Sequence, residues 1–410
     1  MSQTASRRIG FFFLNIGHAY DHLFILLFPT VVLDLESEFG RPYDELLTLS
    51  FPGFIAFAAG TLPAGWLGDR WSRTGMIAVF FLGVGGSSIL TGFARTELEI
   101  AGGLTLIGLF ASIYHPIGIS MVVEGRKKVG KVLGINGVYG NLGVAAAALI
   151  AAGLTEAISW QAAFIVPGIV ATVTGIAYVI FLFLRPATER LEVKAARATR
   201  AESAGERIPL PSKSGMRRIF GVVAVSTIMG GLVFQGSVIA LPKLFEEGLG
   251  PLADSLLGVG LMVSLVIAVA AFAQIVVGYL IDTVSIKYVW IVMLLIQVPL
   301  LAVLAMTSEA GMLVVAFAAM LMIIGEVPIS DTLVARHTED AWRSRIYGVK
   351  FLFGLGAAAL AAPLVALMHG SSGGFVWLFL IFAAMSFVIG VAAFWLPGRA
   401  RSGEAALTEA

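Results

Sequence analysis

Three ionisable side chains stand close together in an otherwise apolar stretch near the start of the chain, Gly17-His18-Ala19-Tyr20-Asp21-His22. At about 100° per residue, positions 18, 21 and 22 fall on one helix face. An imidazole with an ordinary pKa near 6.5 changes charge in the physiological range, and a neighbouring carboxylate moves that value. Such a group can take up a proton on one side of a barrier and release it on the other. A charged Asp inside a bilayer costs roughly 2.5–3.5 kcal/mol even on the milder insertion scales. The cost is tolerable where the face lines a wet cavity, so the stripe reads as a functional site. The plainer alternative is a satisfied polar pair that braces helix packing.

Other polar residues in apolar surroundings extend the set. His115 precedes Pro116, whose ring interrupts a helix and frees backbone carbonyls. Glu326 lies beside Pro328 in the C-terminal half. It is either a substrate or proton site or a partner for backbone freed by that proline. Tyr139, Asn141 and Gln235 are candidates for substrate contact, or else glue between helices. Two or three His with an Asp could hold a divalent cation. No Cys and no second His-x-x-His pair supports that, so no metal is expected.

The elements that must position these residues are membrane helices. Of 410 residues, 58% are hydrophobic and 13% charged, where a soluble domain carries about 25% charge. Mean hydropathy is +0.92. Apolar stretches of about 20 residues, enough to cross a roughly 30 Å hydrocarbon core, recur from end to end. Twelve spans are expected, near 10–33, 46–67, 75–94, 99–123, 132–154, 161–184, 218–243, 254–281, 287–307, 310–332, 346–369 and 373–396. The division between the fifth and sixth is the weakest, because hydrophobicity barely dips there. Arg7 and Arg8 precede a long span with no small-residue cleavage site, so it reads as the first helix rather than a cleaved signal.

Placing both termini in the cytoplasm leaves only Arg41, Arg95 and Lys243 of the 27 Lys and Arg on the other side. That is the positive-inside bias. The acidic stretch Asp34-Leu35-Glu36-Ser37-Glu38, with Asp44-Glu45, then reads as a solvated outer loop. The basic run Arg126-Lys127-Lys128 suits anionic lipid. The chain has no cysteine, which excludes disulfides. Gly-x-Gly pairs lack the strand–helix context and Lys of a nucleotide loop. There is no nucleophile elbow, zinc-protease motif or nucleic-acid footprint.

The two halves repeat. Pro29 matches Pro242 at an offset of 213, and Gly65 with Asp69 matches Gly278 with Asp282 at the same offset. Pro116-Ile117 matches Pro328-Ile329 at 212, and Gly134 and Gly140 match Gly348 and Gly354 at 214. Gln235 stands at offset 213 from His22. Repeats about an axis along the membrane normal mark transporters whose site lies between the halves. The expected organisation is an N-terminal six-helix bundle over 1–184, a cytoplasmic linker over 185–217, a C-terminal bundle over 218–398 and a cytoplasmic tail over 399–410.

The loop Gly65-Trp66-Leu67-Gly68-Asp69-Arg70-Trp71-Ser72-Arg73 resembles the major facilitator superfamily signature between its second and third helices, with Ser72 in place of the second Gly. The likeness covers nearly the whole chain. Its nearest branch is the fosmidomycin-resistance type, through the His and Asp of the first helix, Tyr114-His115-Pro116, and Gly140-Asn141-Leu142-Gly143. The resemblance implies an all-α integral membrane fold of twelve helices in two pseudo-symmetric bundles around a central cavity. Helices 1 and 4 would line it, so that His115 faces the helix 1 stripe. Asp69, Arg70, Arg73, Arg126 and Asp282 would form gate contacts. Two features of proton-coupled drug exporters are missing. Leu104 stands where the helix 4 Arg would fall, and Ala147-Ala148 where the helix 5 Gly-Pro would fall.

The expected function is secondary active transport of a small solute, proton-coupled, by alternating access. Export of a toxic or drug-like compound is what the branch implies. Uptake of a metabolite or metal chelate is the alternative, and a non-transporting sensor or assembly factor the alternative from another class. The chain is expected to be a monomer in the inner (plasma) membrane, not an enzyme, with no cofactor and no nucleic-acid partner.

Overall fold

A computed structural model describes residues 3–124, 129–186, 213–304, 306–338, 340–372 and 375–396. Among these residues, twelve helical spans are long and apolar enough to cross a membrane. They are span 1 (Thr4–Phe39), span 2 (Tyr43–Gly68), span 3 (Arg73–Thr91), span 4 (Glu97–Val123), span 5 (Lys131–Ala157) and span 6 (Trp160–Leu184). The second set is span 7 (Ser214–Gly248), span 8 (Leu256–Thr283), span 9 (Ile286–Leu304), span 10 (Glu309–Arg336), span 11 (Ile346–Gly370) and span 12 (Val376–Ala393). The uncertain division between spans 5 and 6 is real. Ser159 caps the next helix, its hydroxyl accepting from the Ala162 amide at 3.4 Å.

Some ends run beyond the apolar stretches. The acidic stretch at the end of span 1 is not a loop. Phe28–Phe39 is helical through Asp34, Glu36 and Glu38, and stops at Gly40, which takes φ +62°. Asp44 and Glu45 likewise sit in the first turn of a helix, Tyr43–Leu47, where carboxylates complement the helix dipole. Hydropathy marks where lipid ends, not where the helix ends.

Packing repeats across the chain. In the first six spans, span 1 packs on span 5, span 2 on span 4 and span 3 on span 6. In the second six, span 7 packs on span 11, span 8 on span 10 and span 9 on span 12. Among the described residues the main seams between the sets are span 5 against span 8 and span 2 against span 11.

Several spans are broken. Span 1 breaks at Leu26–Leu27, ahead of Pro29, and span 4 at Ser112–Ile113, ahead of Pro116. Pro116 has no N–H for the Ser112 carbonyl and its ring crowds that group. Both breaks lie within one or two turns of the ionisable cluster, an arrangement typical of transporter sites.

Close backbone approach needs glycine at particular places. A Cβ on Gly143 would lie 2.0 Å from the Ala19 carbonyl oxygen, and one on Gly108 would lie 2.0 Å from the Gly53 carbonyl oxygen. Span 1 is thereby held hard against span 5 beside His18.

One void, of about 220 Å³ of empty space, is lined by Pro29 and Pro242, Thr30, Val144, Val263 and other apolar residues. It is a narrow crevice with room for about one water. Another of about 230 Å³ lies between spans 1, 2 and 4. Neither touches Asp21, His115 or Glu326. Aromatic rings of Phe57 and Phe351 pack around His115.

Gly143→Ala should lower stability by about 1–3 kcal/mol, the usual cost of overpacking. Gly102→Ala, whose Cβ would meet nothing within 4 Å, should be neutral or slightly stabilising. Thermal unfolding in detergent compares the two.

Candidate functional site

The site is built on Asn136 of span 5. Its Nδ2 donates to Asn15 Oδ1 at 2.9 Å and to the Tyr114 hydroxyl at 3.1 Å. Tyr114 in turn donates to the Leu14 carbonyl at 2.7 Å. These bonds tie spans 1, 4 and 5 together inside the bundle, where no water competes and unmet polar groups are costly. The Asn136 carbonyl lies 2.8 Å from His18 Nδ1. A carbonyl only accepts, so Nδ1 carries the proton and Nε2 presents a lone pair.

His18 is further located by stacking on Tyr114, with centroids 5.0 Å apart and planes at 19°. Gly140 leaves room for it, since a Cβ there would lie 2.8 Å from His18 Nε2. His22 lies 5.0 Å from His18 and 5.4 Å from His115, ring centre to ring centre, and His18 lies 5.5 Å from His115. Three imidazoles so close cannot all carry charge without strong repulsion.

Asp21 is fully buried, and its Oδ2 lies 3.1 Å from His115 Nε2. The contact does not meet the geometry of a hydrogen bond. Both Asp21 oxygens and both His115 nitrogens are buried without a hydrogen-bond partner. Such orphans in a bundle interior are rare and costly. Over His115 lie Phe57 of span 2, at 5.9 Å, and Phe351 of span 11, at 5.0 Å. Phe351 comes from the opposite six-span set, so the cluster sits under a lid supplied across the seam. Beside the lid, Lys350 pairs with Asp331 of span 10.

The family model of the Major Facilitator Superfamily matches residues 12–349 and 223–409. The chain belongs to the Major Facilitator Superfamily. The family is one of membrane transporters, and the twelve helices fit its fold. A comparison with curated proteins gives no match.

The helix 1 stripe and His115 are brought together, as the resemblance implied. Glu326 is not in contact with them. It is buried in the second set of spans, where Trp290 Nε1 donates to its Oε2 at 3.2 Å. Asn141 donates back to the Gly137 carbonyl one turn earlier, at 3.0 Å. The Gln235 amide nitrogen is buried and unpartnered, while Tyr139 is half-buried. Of the gate residues, Arg73 lies 3.8 Å from Glu124, and Asp282 accepts from Arg336 at 2.7 Å. Arg70 lies over the Trp66 ring at 5.4 Å. Arg126 lies outside the described residues, as does the side chain of Asp69. Ser72, where the signature has Gly, caps span 3 by accepting from the Gly75 amide at 3.0 Å.

Sequence reasoning missed Asn136 and a polar network at the end of the bundle away from the termini. There Lys243 of span 7 lies 3.2 Å from Glu36 and 2.6 Å from Glu246. Glu36 also accepts from the Tyr43 amide at 2.9 Å. His369 of span 11 lies 2.8 Å from Glu247, and its ring meets Tyr43 edge-on at 5.6 Å. These contacts clasp spans 1 and 2 to spans 7 and 11. The available signal was Lys243, one of three basic residues at an acidic end.

Asn136→Ala should cost about 1–3 kcal/mol by orphaning its buried partners. Asn141→Ala loses one contact within its own helix and should cost under about 1 kcal/mol. Equilibrium unfolding of both variants in one detergent tests whether Asn136 is the anchor.

Proposed function

We propose that this chain is a proton-coupled secondary transporter of a small solute that works by alternating access, with Asp21 and His115 as its proton site. The observation that carries this reading is the buried Asp21–His115 contact at 3.1 Å, with no hydrogen-bond partner on any of its four polar atoms. The contact lies midway along span 1 and under Phe351 from the opposite set. A proton placed between Asp21 Oδ2 and His115 Nε2 would neutralise the carboxylate or charge the imidazole. Either change alters what the lid packs against. A relic kept only as a sensor or scaffold would be more stable with apolar residues here.

The acidic end faces outward in this proposal and the termini are cytoplasmic, as the distribution of Lys and Arg supports. The membrane is then the inner (plasma) membrane, and the working unit one chain. Asp69, Arg70, Arg73, Arg126 and Asp282 serve the cytoplasmic gate. The clasp of Glu36, Tyr43, Lys243 and His369 serves the outer one. These ion pairs are only partly buried, and pairs at a wet edge are weak enough to suit contacts that break in every cycle. Likeness to the fosmidomycin-resistance-type branch favours export of a toxic or drug-like compound. Leu104 and Ala147-Ala148, at the positions of two exporter features, favour uptake of a metabolite or metal chelate.

Asp21→Asn should keep the folded protein in the membrane and lower pH-gradient-driven transport at least tenfold, about 1.4 kcal/mol. The measurement is initial flux in proteoliposomes over a solute panel, with and without the gradient. Near-normal driven flux in the variant would refute the proton site.

Lys243→Gln should shift the population toward an outward-open state. The chain has no native cysteine, so a single Thr30→Cys reports cleanly. Thr30 is buried and lines the crevice between the two sets. A membrane-impermeant thiol reagent added outside should label this cysteine several-fold faster when Lys243→Gln is also present. Equal labelling rates would refute the outer clasp.

A further inference from the structure

His18, His22 and His115 each offer a ring nitrogen, and the three ligand atoms lie within 4.8 Å of one another. Nitrogens bound to one tetrahedral metal at about 2.0–2.1 Å sit roughly 3.3–3.4 Å apart. Closing the widest pair needs about 1.5 Å of movement, within reach of side-chain rotation. Two rings carry an outer neighbour of the kind metal-ligating imidazoles have. His18 gives its Nδ1 proton to the Asn136 carbonyl at 2.8 Å, which leaves Nε2 as the donor atom. His115 turns Nε2 toward Asp21 Oδ2 at 3.1 Å and keeps a buried, unpartnered Nδ1. A carboxylate behind an imidazole and a carbonyl behind another are the usual outer supports of such sites.

The orphaned atoms are an independent sign. Four polar atoms on Asp21 and His115 are buried without hydrogen bonds. A cation drawn to His115 Nδ1, with a small turn of the ring, would make Nε2–H a donor to Asp21 Oδ2 and give three of the four orphaned atoms a partner. The Asp21 charge would offset part of a divalent charge in a setting that otherwise disfavours it.

We propose that this cluster binds a divalent transition-metal ion through His18, His22 and His115, with Asp21 in support, and that the ion is the transported cargo. The proposal rests on the transporter reading and names the cargo of the same site. Three imidazoles select borderline ions such as Zn²⁺, Co²⁺, Ni²⁺ or Cu²⁺ over Mg²⁺ and Ca²⁺, which want oxygen ligands. Three protein ligands leave a fourth position for water or for a donor carried with the ion. That open position suits an ion that must leave again.

The test uses the full chain in detergent, with Zn²⁺ or Co²⁺ alone as probe, at one fixed pH. Titration calorimetry should give one ion per chain, and Co²⁺ should develop the intense visible absorption of a tetrahedral site. Mg²⁺ should not compete. His18→Gln and His115→Gln should each weaken binding at least tenfold, and Asp21→Asn about tenfold. Where a variant of His18 or His115 loses its folded elution profile, His22→Gln replaces it. No stoichiometric binding, or binding unchanged in folded His variants, would overturn the site. Zn²⁺ flux in proteoliposomes then separates the two readings. Binding without flux overturns the cargo claim. Solute flux driven by a pH gradient in a protein that binds no metal overturns this inference and leaves the transporter reading standing.

Discussion

A carboxylate and three imidazoles share a few ångströms in the middle of a bundle surrounded by lipid. Water cannot relieve them there, so neighbouring groups must. The arrangement around them follows from that constraint. Asn136 spends its side chain on spans 1 and 4 and its carbonyl on His18. Tyr114 backs the His18 ring and gives its hydroxyl to Leu14. Glycines at 140 and 143 let span 5 come close enough for these contacts to exist. Support of this density fixes His18. It leaves Asp21 and His115 unsatisfied, and a bundle that solves one polar group so thoroughly and abandons its neighbour has kept the second for another purpose.

The two kinds of contact in the molecule differ in character. Within each six-span set, helices meet through glycine-mediated backbone approach and buried hydrogen bonds, such as Gln297 to Ser386 at 2.9 Å and Ser88 to the Phe164 carbonyl at 2.7 Å. At the end away from the termini, the sets meet through part-buried ion pairs and a ring edge. The first kind is costly to break and the second cheap. Six-span bodies that move as units would show this division.

Much of the fold was legible because the bilayer imposes a strong and local rule: about 20 apolar residues make a span. The proline at 116 foretold the break in span 4 for an equally local reason, the missing N–H. The acidic stretch 34–38 was misread as loop because charge reports exposure to water and says nothing about whether the backbone is coiled. Asn136 escaped notice because an Asn in a Gly-rich helix resembles ordinary interhelical glue, and its role depends on partners 22 and 121 residues away. The clasp around Lys243 escaped for the same reason, with Glu36 and Lys243 separated by 207 residues. The helix 1 stripe was visible because its members share one turn. The lid was not, since Phe351 is one apolar residue among many until the halves are placed together.

The seam between spans 5 and 8 is unlike the rest of the boundary between the sets. Ser264 donates to the Ala145 carbonyl at 2.5 Å, and a Cβ on Gly260 would lie 2.8 Å from the Ala148 carbonyl oxygen. Further toward the termini, a Cβ on Gly137 would lie 1.9 Å from Gln274 Oε1. Backbone thus meets backbone or a buried amide along much of this line. A door that swings must stay attached somewhere, and a seam this tight cannot slide without breaking several contacts at once. It has the makings of a fulcrum, with the looser span 2–span 11 side as the edge that travels.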